Sequence, residues 1–156
     1  MKTKGFTLIE ILIVIAILGI LTLLISGNFI TSLKKGRDAR RKTDLEQIQR
    51  ALEMYYEDKK AYPTPAGSYG LPFGGQLIDS VTGKIYMQKL PQDPLTSNSY
   101  NYQSDGTYYK LYSCLENKLD LGPGVKVVGE TQSDYGLPCG ACGNCNYGIS
   151  SSNLAL

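Results

Sequence analysis

Hydrophobic residues follow two successive rhythms in the first sixty positions. From Phe6 to Ile30 they are almost continuous. As a helix this run spans about 38 Å at ~1.5 Å per residue, enough to cross a ~30 Å hydrocarbon core. One residue breaks it. Glu10 places a carboxylate where burial near a bilayer centre costs about 2.5 kcal/mol or more. Beyond the run the period changes: Leu45, Ile48, Leu52 and Tyr55 recur at i, i+3, i+7 and i+10, with Ala39 and Ala51 extending the stripe and charges on the opposite side. That pattern predicts an amphipathic helix over 31–62 that packs on a sheet and stops near Ala61, because Pro63 disfavours helical geometry in Tyr62. No linker separates the two rhythms, so one long helix is expected to carry both.

Residues 63–97 are rich in Pro, Gly and Ser and predict a loop-dominated connection with at most a short helix or strand. Then SNSYNYQS and TYYKLYSCL flank Asp105-Gly106, a strong hairpin signal, and VKVVGE, residues 125–130, can supply a third strand. The expected fold is α+β: a long N-terminal helix, transmembrane then amphipathic, packed on a small antiparallel sheet with a Cys-rich C-terminal loop. Nine of the 12 Tyr follow residue 63, which predicts sheet packing with the hydroxyls at the rim; a ligand-binding or adhesive surface is the alternative.

Composition narrows the function. There is no His, which removes the commonest general base and every Ser-His or Cys-His nucleophile arrangement. No GxSxG, phosphate-cradling GxxxxGK[ST] or GxGxxG is present either, so the sequence points away from an enzyme. Net charge is only +2, against a nucleic-acid binder as a whole. The basic stretch KKGRDARRK, residues 34–42, holds six Lys/Arg against one Asp. It could meet lipid headgroups, acids of neighbouring subunits or DNA. By the positive-inside rule alone it would hold the C-terminal domain in the cytoplasm.

The stretch Gly5-Phe6-Thr7-Leu8-Ile9-Glu10, after the short basic leader MKTKG and before an apolar helix, resembles the processing site of type IV pilins and type II secretion pseudopilins. The resemblance implies that a prepilin peptidase removes residues 1–5, cutting between Gly5 and Phe6, and that Phe6 becomes N-methylated. It implies a filament-core helix over 6–30, its continuation over 31–62 and a globular head over 63–156. The anchor would cross the inner membrane once with the head outside, against the charge count, before entering a cell-surface or periplasmic filament. Other implied partners are further copies of the chain in a helical filament, an assembly ATPase and a platform protein. Within that family Glu10 has a physical purpose: its carboxylate can neutralise the new Phe6 amine of a neighbour, since paired charges in a medium of low dielectric attract strongly while either alone is costly. Gly19 matches a glycine common in the family's anchor helix, and Gly27 stands where a helix-breaking Pro is often found.

The expected role is a structural subunit of a type IV pilus-like filament. The alternative is a major pseudopilin of a type II secretion-like system, toward which KLPQDP, residues 89–94, pulls; the Cys-rich tail pulls toward a surface pilus. Of another class are a membrane-anchored DNA- or ligand-binding protein that never polymerises, and an inverted, cytoplasm-facing metal-binding domain. Cys114, Cys139, Cys142 and Cys145 carry the last question. Their C-x2-C-x2-C spacing suits zinc or an iron–sulfur cluster, whereas an extracytoplasmic location favours disulfides. Of three connectivities, Cys114–Cys142 with Cys139–Cys145 avoids a tight ring between cysteines two residues apart; the others stay open. No cofactor is expected beyond a weaker calcium option, suggested by its presence in some major pseudopilins, with Glu116, Asp120 and Asp134 as oxygen donors.

Overall fold

The computed structural model describes residues 5–65 and 69–152, with the backbone alone over 24–28. Helix α1, Leu8–Lys59, is a single element of 52 residues. The chain divides into two compact units, Met1–Lys34 and Lys35–Leu156, so α1 contributes to each. Every described side chain of the first unit is exposed. Among the described residues no helix is long and apolar enough to cross a membrane.

The second unit holds the sheets. Three antiparallel strands form the main one, in the order β3 (Asn101–Ser104), β4 (Tyr109–Ser113), β7 (Tyr147–Ser150). Register runs from Asn101 opposite Tyr112 to Ser104 opposite Tyr109, and from Lys110 opposite Ser150 to Ser113 opposite Tyr147. Asp105 closes the β3–β4 turn by accepting the Thr107 and Tyr108 N–H bonds, with Gly106 at φ +94°. Two short ladders stand apart: β1 (Leu77–Ile78) with β2 (Ile85–Met87), inside the Pro- and Gly-rich connection, and β5 (Val127–Val128) with β6 (Thr131–Gln132).

The third strand and the end of the helix depart from expectation. Residues 125–130 do not give the sheet its third strand; a turn at Gly129, φ +66°, folds Val127–Val128 onto Thr131–Gln132, and YGIS near the C-terminus takes the place beside β4. Helix α1 ends at Lys59, short of Ala61, because Lys60 turns to φ +53° while its N–H still bonds the Tyr56 carbonyl.

The core lies between α1 and the sheet. Leu45, Ile48, Ala51 and Leu52 pack with Leu90, Tyr100, Tyr102, Tyr109, Leu111 and Leu115. Leu45, Ile48 and Leu52 are fully buried, as their spacing predicts, but Ala39 is exposed. Asp38 and Arg41 instead continue that buried face toward the N-terminus. The tyrosines are deeper than a rim. Tyr100 donates to Asp44 at 2.8 Å, Tyr62 and Tyr109 donate to Glu53 at 2.9 and 3.1 Å, and Tyr102 donates to the Pro63 carbonyl at 2.9 Å. Four hydroxyls thus find acceptors inside, three of them on helix carboxylates, so the rings fill the core without orphaned polar atoms.

Candidate functional site

Thr7 and Glu10 form a capping box at the start of α1. The Thr7 N–H and hydroxyl both donate to the Glu10 carboxylate at 2.8 Å, and the Glu10 N–H donates to the Thr7 hydroxyl at 3.3 Å. The sequence T-L-I-E dictates this arrangement, because an N-cap Thr and an acid three positions later satisfy each other's orphan donors. Glu10 has no cation partner among the described residues. Around it, Phe6, Leu8, Ile9, Leu12, Ile15 and Leu18 are half to almost fully exposed. A helix apolar on all sides is stable only inside something else. At Gly19 a Cβ would meet nothing within 4 Å, so no packing among the described residues demands that glycine. Gly5 and Phe6 precede the helix, and Lys2 and Lys4 of the leader lie outside the described residues.

In the second unit, charges follow the helical period into the interior. Arg41 is fully buried and meets three carboxylates. Its Nε and Nη2 donate to the two oxygens of Asp93 at 2.7 and 2.9 Å, and its Nη1 donates to Asp38 at 2.7 Å and Glu116 at 2.8 Å. Arg37 adds a bidentate pair to Glu116 at 2.7 and 2.6 Å. Asp38 also accepts the Glu116 and Asn117 N–H bonds at 2.9 and 2.8 Å, and Asp93 accepts that of Leu95. The five side chains clamp three segments together: α1, the KLPQDP connection and the loop after β4. The bidentate Arg37 pair, with Arg41 beside it, holds the Glu116 carboxyl down at about 2. Burial pushes the Asp44 carboxyl above its ordinary value despite the Tyr100 hydrogen bond.

Four of the six cations in residues 34–42 are therefore matched by acids of the second unit, while Lys34 and Lys35 stay exposed, so only part of the stretch is an open basic surface. Arg37 and Arg41 are neutralised inside the unit; Lys42 pairs with Asp120 at 2.7 Å; Arg40 stands 3.8 Å from Asp44. The sequence pattern was read with its charges on the side opposite the apolar stripe, whereas Asp38 and Arg41 lie on the stripe itself. The available signal was their spacing: 38, 41, 45, 48 and 52 share one stripe.

The four cysteines form two disulfides, Cys114–Cys142 and Cys139–Cys145, so no thiolate set remains for zinc or an iron–sulfur cluster. The first bond ties the tail to the end of β4. Gly140, at φ +85°, lies where a Cβ would come within 2.4 Å of the Ser97 carbonyl; only glycine lets the tail press against residues 97–98 there. The residues considered for calcium do not converge. Glu116 serves Arg37 and Arg41; Asp120 serves Lys42 and the Gly122 N–H; Asp134 accepts from the Gly136 N–H and Asn144. Among the described residues no group of three or more acids or cysteines gathers to hold a metal ion.

Two family models match. Residues 1–26 match the prokaryotic N-terminal methylation motif, and residues 28–125 match type II secretion system protein G. The chain is 38% identical over 118 residues to the type II secretion system core protein G of Pseudomonas aeruginosa, covering 72% of this chain and 82% of that one. It is 34% identical over 139 residues to the protein of that name from Klebsiella pneumoniae, covering 86% and 94%. Against its counterpart in Escherichia coli K12 the identity is 33% over 120 residues. No solved structure matches. The protein G match stops at residue 125, so the disulfide-bonded tail lies beyond it.

Proposed function

We propose, from the premise that the chain belongs to the type II secretion system protein G family, that it is the structural subunit of a secretion pseudopilus and acts by polymerising rather than by catalysis. This favours the secretion alternative over the surface pilus that the Cys-rich tail suggested. The KLPQDP segment now has a stated physical task, since its Asp93 is the bidentate partner of buried Arg41.

The observation that carries the reading is the state of the N-terminal unit. An apolar helix exposed on every side, with one acid and no cation for it among the described residues, is an incomplete surface. Two environments complete it in turn. Before assembly the bilayer covers residues 6–30, with the second unit on the periplasmic side. After cleavage between Gly5 and Phe6, neighbouring helices take the bilayer's place, and Glu10 of one subunit pairs with the Phe6 amine of another. The prepilin peptidase supplies that amine, and an assembly ATPase with its platform protein would drive extraction from the membrane.

The test is Glu10→Val in the native secretion system. Processing and membrane insertion should persist, because the substitution raises hydrophobicity and otherwise removes only the acceptor of the Thr7 cap in the first turn of α1. Pseudopilus fibres, counted by electron microscopy and shear release, should be lost along with secretion. Normal fibres from this variant would remove the pairing from the mechanism.

A further inference from the structure

The loop after β4 exposes leucine from a rigid frame. Leu119 is 89% exposed and Leu121 49%, yet hydrogen bonds fix the segment around them. Asp38 holds the Glu116 and Asn117 N–H groups; the Asn117 side chain accepts the Leu119 N–H and its carbonyl accepts the Asp120 N–H; Gln132 donates to the Asn117 and Asp120 carbonyls. A mobile loop could fold its leucines inward, but this one cannot without breaking those bonds.

Charge and tether length say what covers them. Glu116 and Asp120, the loop's two acids, are neutralised by Arg37 with Arg41 and by Lys42. That leaves exposed Lys118 beside Leu119 as the loop's uncompensated charge. The loop is clamped to α1 at Arg37, Asp38, Arg41 and Lys42, and Arg37 is seven residues beyond Ile30, the end of the apolar run. Even fully extended, seven residues reach only about 25 Å, and as helix about 10 Å. The loop therefore cannot leave the vicinity of the membrane surface while residues 6–30 are in the bilayer.

The geometry points to a second membrane contact: the loop Lys118–Leu121 seats on the bilayer interface in the unassembled subunit, with Leu119 and Leu121 among the upper acyl carbons and Lys118 at anionic headgroups. This rests on the anchored state proposed above. It gives the second unit a preferred face toward the membrane before assembly, a contact that extraction must break.

The chain has no Trp, so a single substitution makes a clean probe. Three full-length variants would be reconstituted, dilute, in vesicles of phosphatidylethanolamine and phosphatidylglycerol with or without brominated acyl chains. Leu12→Trp reports the anchor, Leu119→Trp the loop, and Val81→Trp, at another exposed apolar site in the second unit, the background. The expected result is that brominated lipid removes most of the emission from the first two and little from the third. Adding Lys118→Glu to Leu119→Trp should then weaken its quenching when phosphatidylglycerol is present. If Leu12→Trp is quenched while Leu119→Trp matches Val81→Trp, the loop contact is wrong and the anchor stands. If Leu12→Trp is unquenched, the anchored state and the loop contact both fall. If Leu119→Trp emission is blue-shifted, insensitive to bromine and dependent on protein density, a second copy covers the loop and the lipid assignment is overturned.

Discussion

Glu10 and Arg41 sit on the same helix and are opposite in what the chain supplies to them. Glu10, inside an apolar run, is exposed and, among the described residues, tied to Thr7 of its own helix end. Arg41, inside a basic run, looks like a solvated charge, yet it is fully buried with three carboxylates around it. The difference is completeness. The second unit satisfies its buried charges with its own residues, so it is a finished fold. The described side chains of the first unit leave its apolar surface open and its acid without a cation, which is the incompleteness that the proposed bilayer and filament would fill. A charge in a buried stripe marks internal architecture, whereas a charge in an all-apolar helix marks a need for an external partner.

The sharpest way to break this contrast is to unmake the internal partner. Arg41→Ala strands Asp93 and Asp38, both almost wholly buried, and removing one partner of a buried pair costs about 3–5 kcal/mol. Denaturant unfolding of the full chain in detergent, followed by near-ultraviolet tyrosine signals, should show the second unit unfolding far earlier. A loss under 1 kcal/mol would mean that Arg41 is no clamp and the contrast with Glu10 is false.

Next is the tail, which lies beyond the family match and is held covalently. Replacing Cys114 and Cys142 together by Ser opens a loop of sequence separation 28 and should cost roughly 3.5 kcal/mol in the loop-entropy model, against roughly 2 kcal/mol for Cys139 with Cys145, separated by 6. Thermal unfolding of the two double variants ranks them. Equal losses would show that β7 is held to β4 by its ladder rather than by the Cys114 staple.

How much of this was legible follows from the distances involved. Leu45, Ile48 and Leu52 announce the core face by local period, and Asp105-Gly106 announces its hairpin by local turn chemistry, so both could be read directly. The partners of Arg41 could not: Asp93 and Glu116 are 52 and 75 residues away, and nothing local says that a charge has an acid waiting across the fold. Strand β7 was hidden for a similar reason. YGIS is short and contains a glycine, and it is placed beside β4 by the disulfides and by pairing with Tyr112 and Ser113 rather than by its own propensity. For Glu10, the T-x-x-E box is a local signal, its acid three positions after the Thr, that the sequence offers directly.

Acid should separate the two kinds of charge. The Glu116 carboxyl is held at about 2, below its ordinary 4.5. A depressed acid stabilises the fold above its unfolded value and loses that contribution as pH falls from about 4.5 toward 2. The full effect is roughly 3 kcal/mol at neutral pH by linkage. Unfolding free energies measured across that range should fall with acid, and Glu116→Gln should remove much of the slope. An unchanged slope would move the acid sensitivity of the fold elsewhere.

The smallest effect has the opposite sign and tests the same idea at the edge of the cluster. Burial raises the Asp44 carboxyl, so its charged form is a cost that protonation relieves. Tyr100 offsets part of that cost through its 2.8 Å hydrogen bond, and Arg40 at 3.8 Å is too exposed to replace it. Tyr100→Phe should cost about 1.5–3 kcal/mol at neutral pH, the range for a hydrogen bond to a charged group. It should also raise the Asp44 carboxyl further, because its main stabilising partner is gone. Mild acid should then restore stability to this variant relative to the parent chain. A deficit independent of pH would show that the ring's packing, rather than the Asp44 charge, was what the hydroxyl supported.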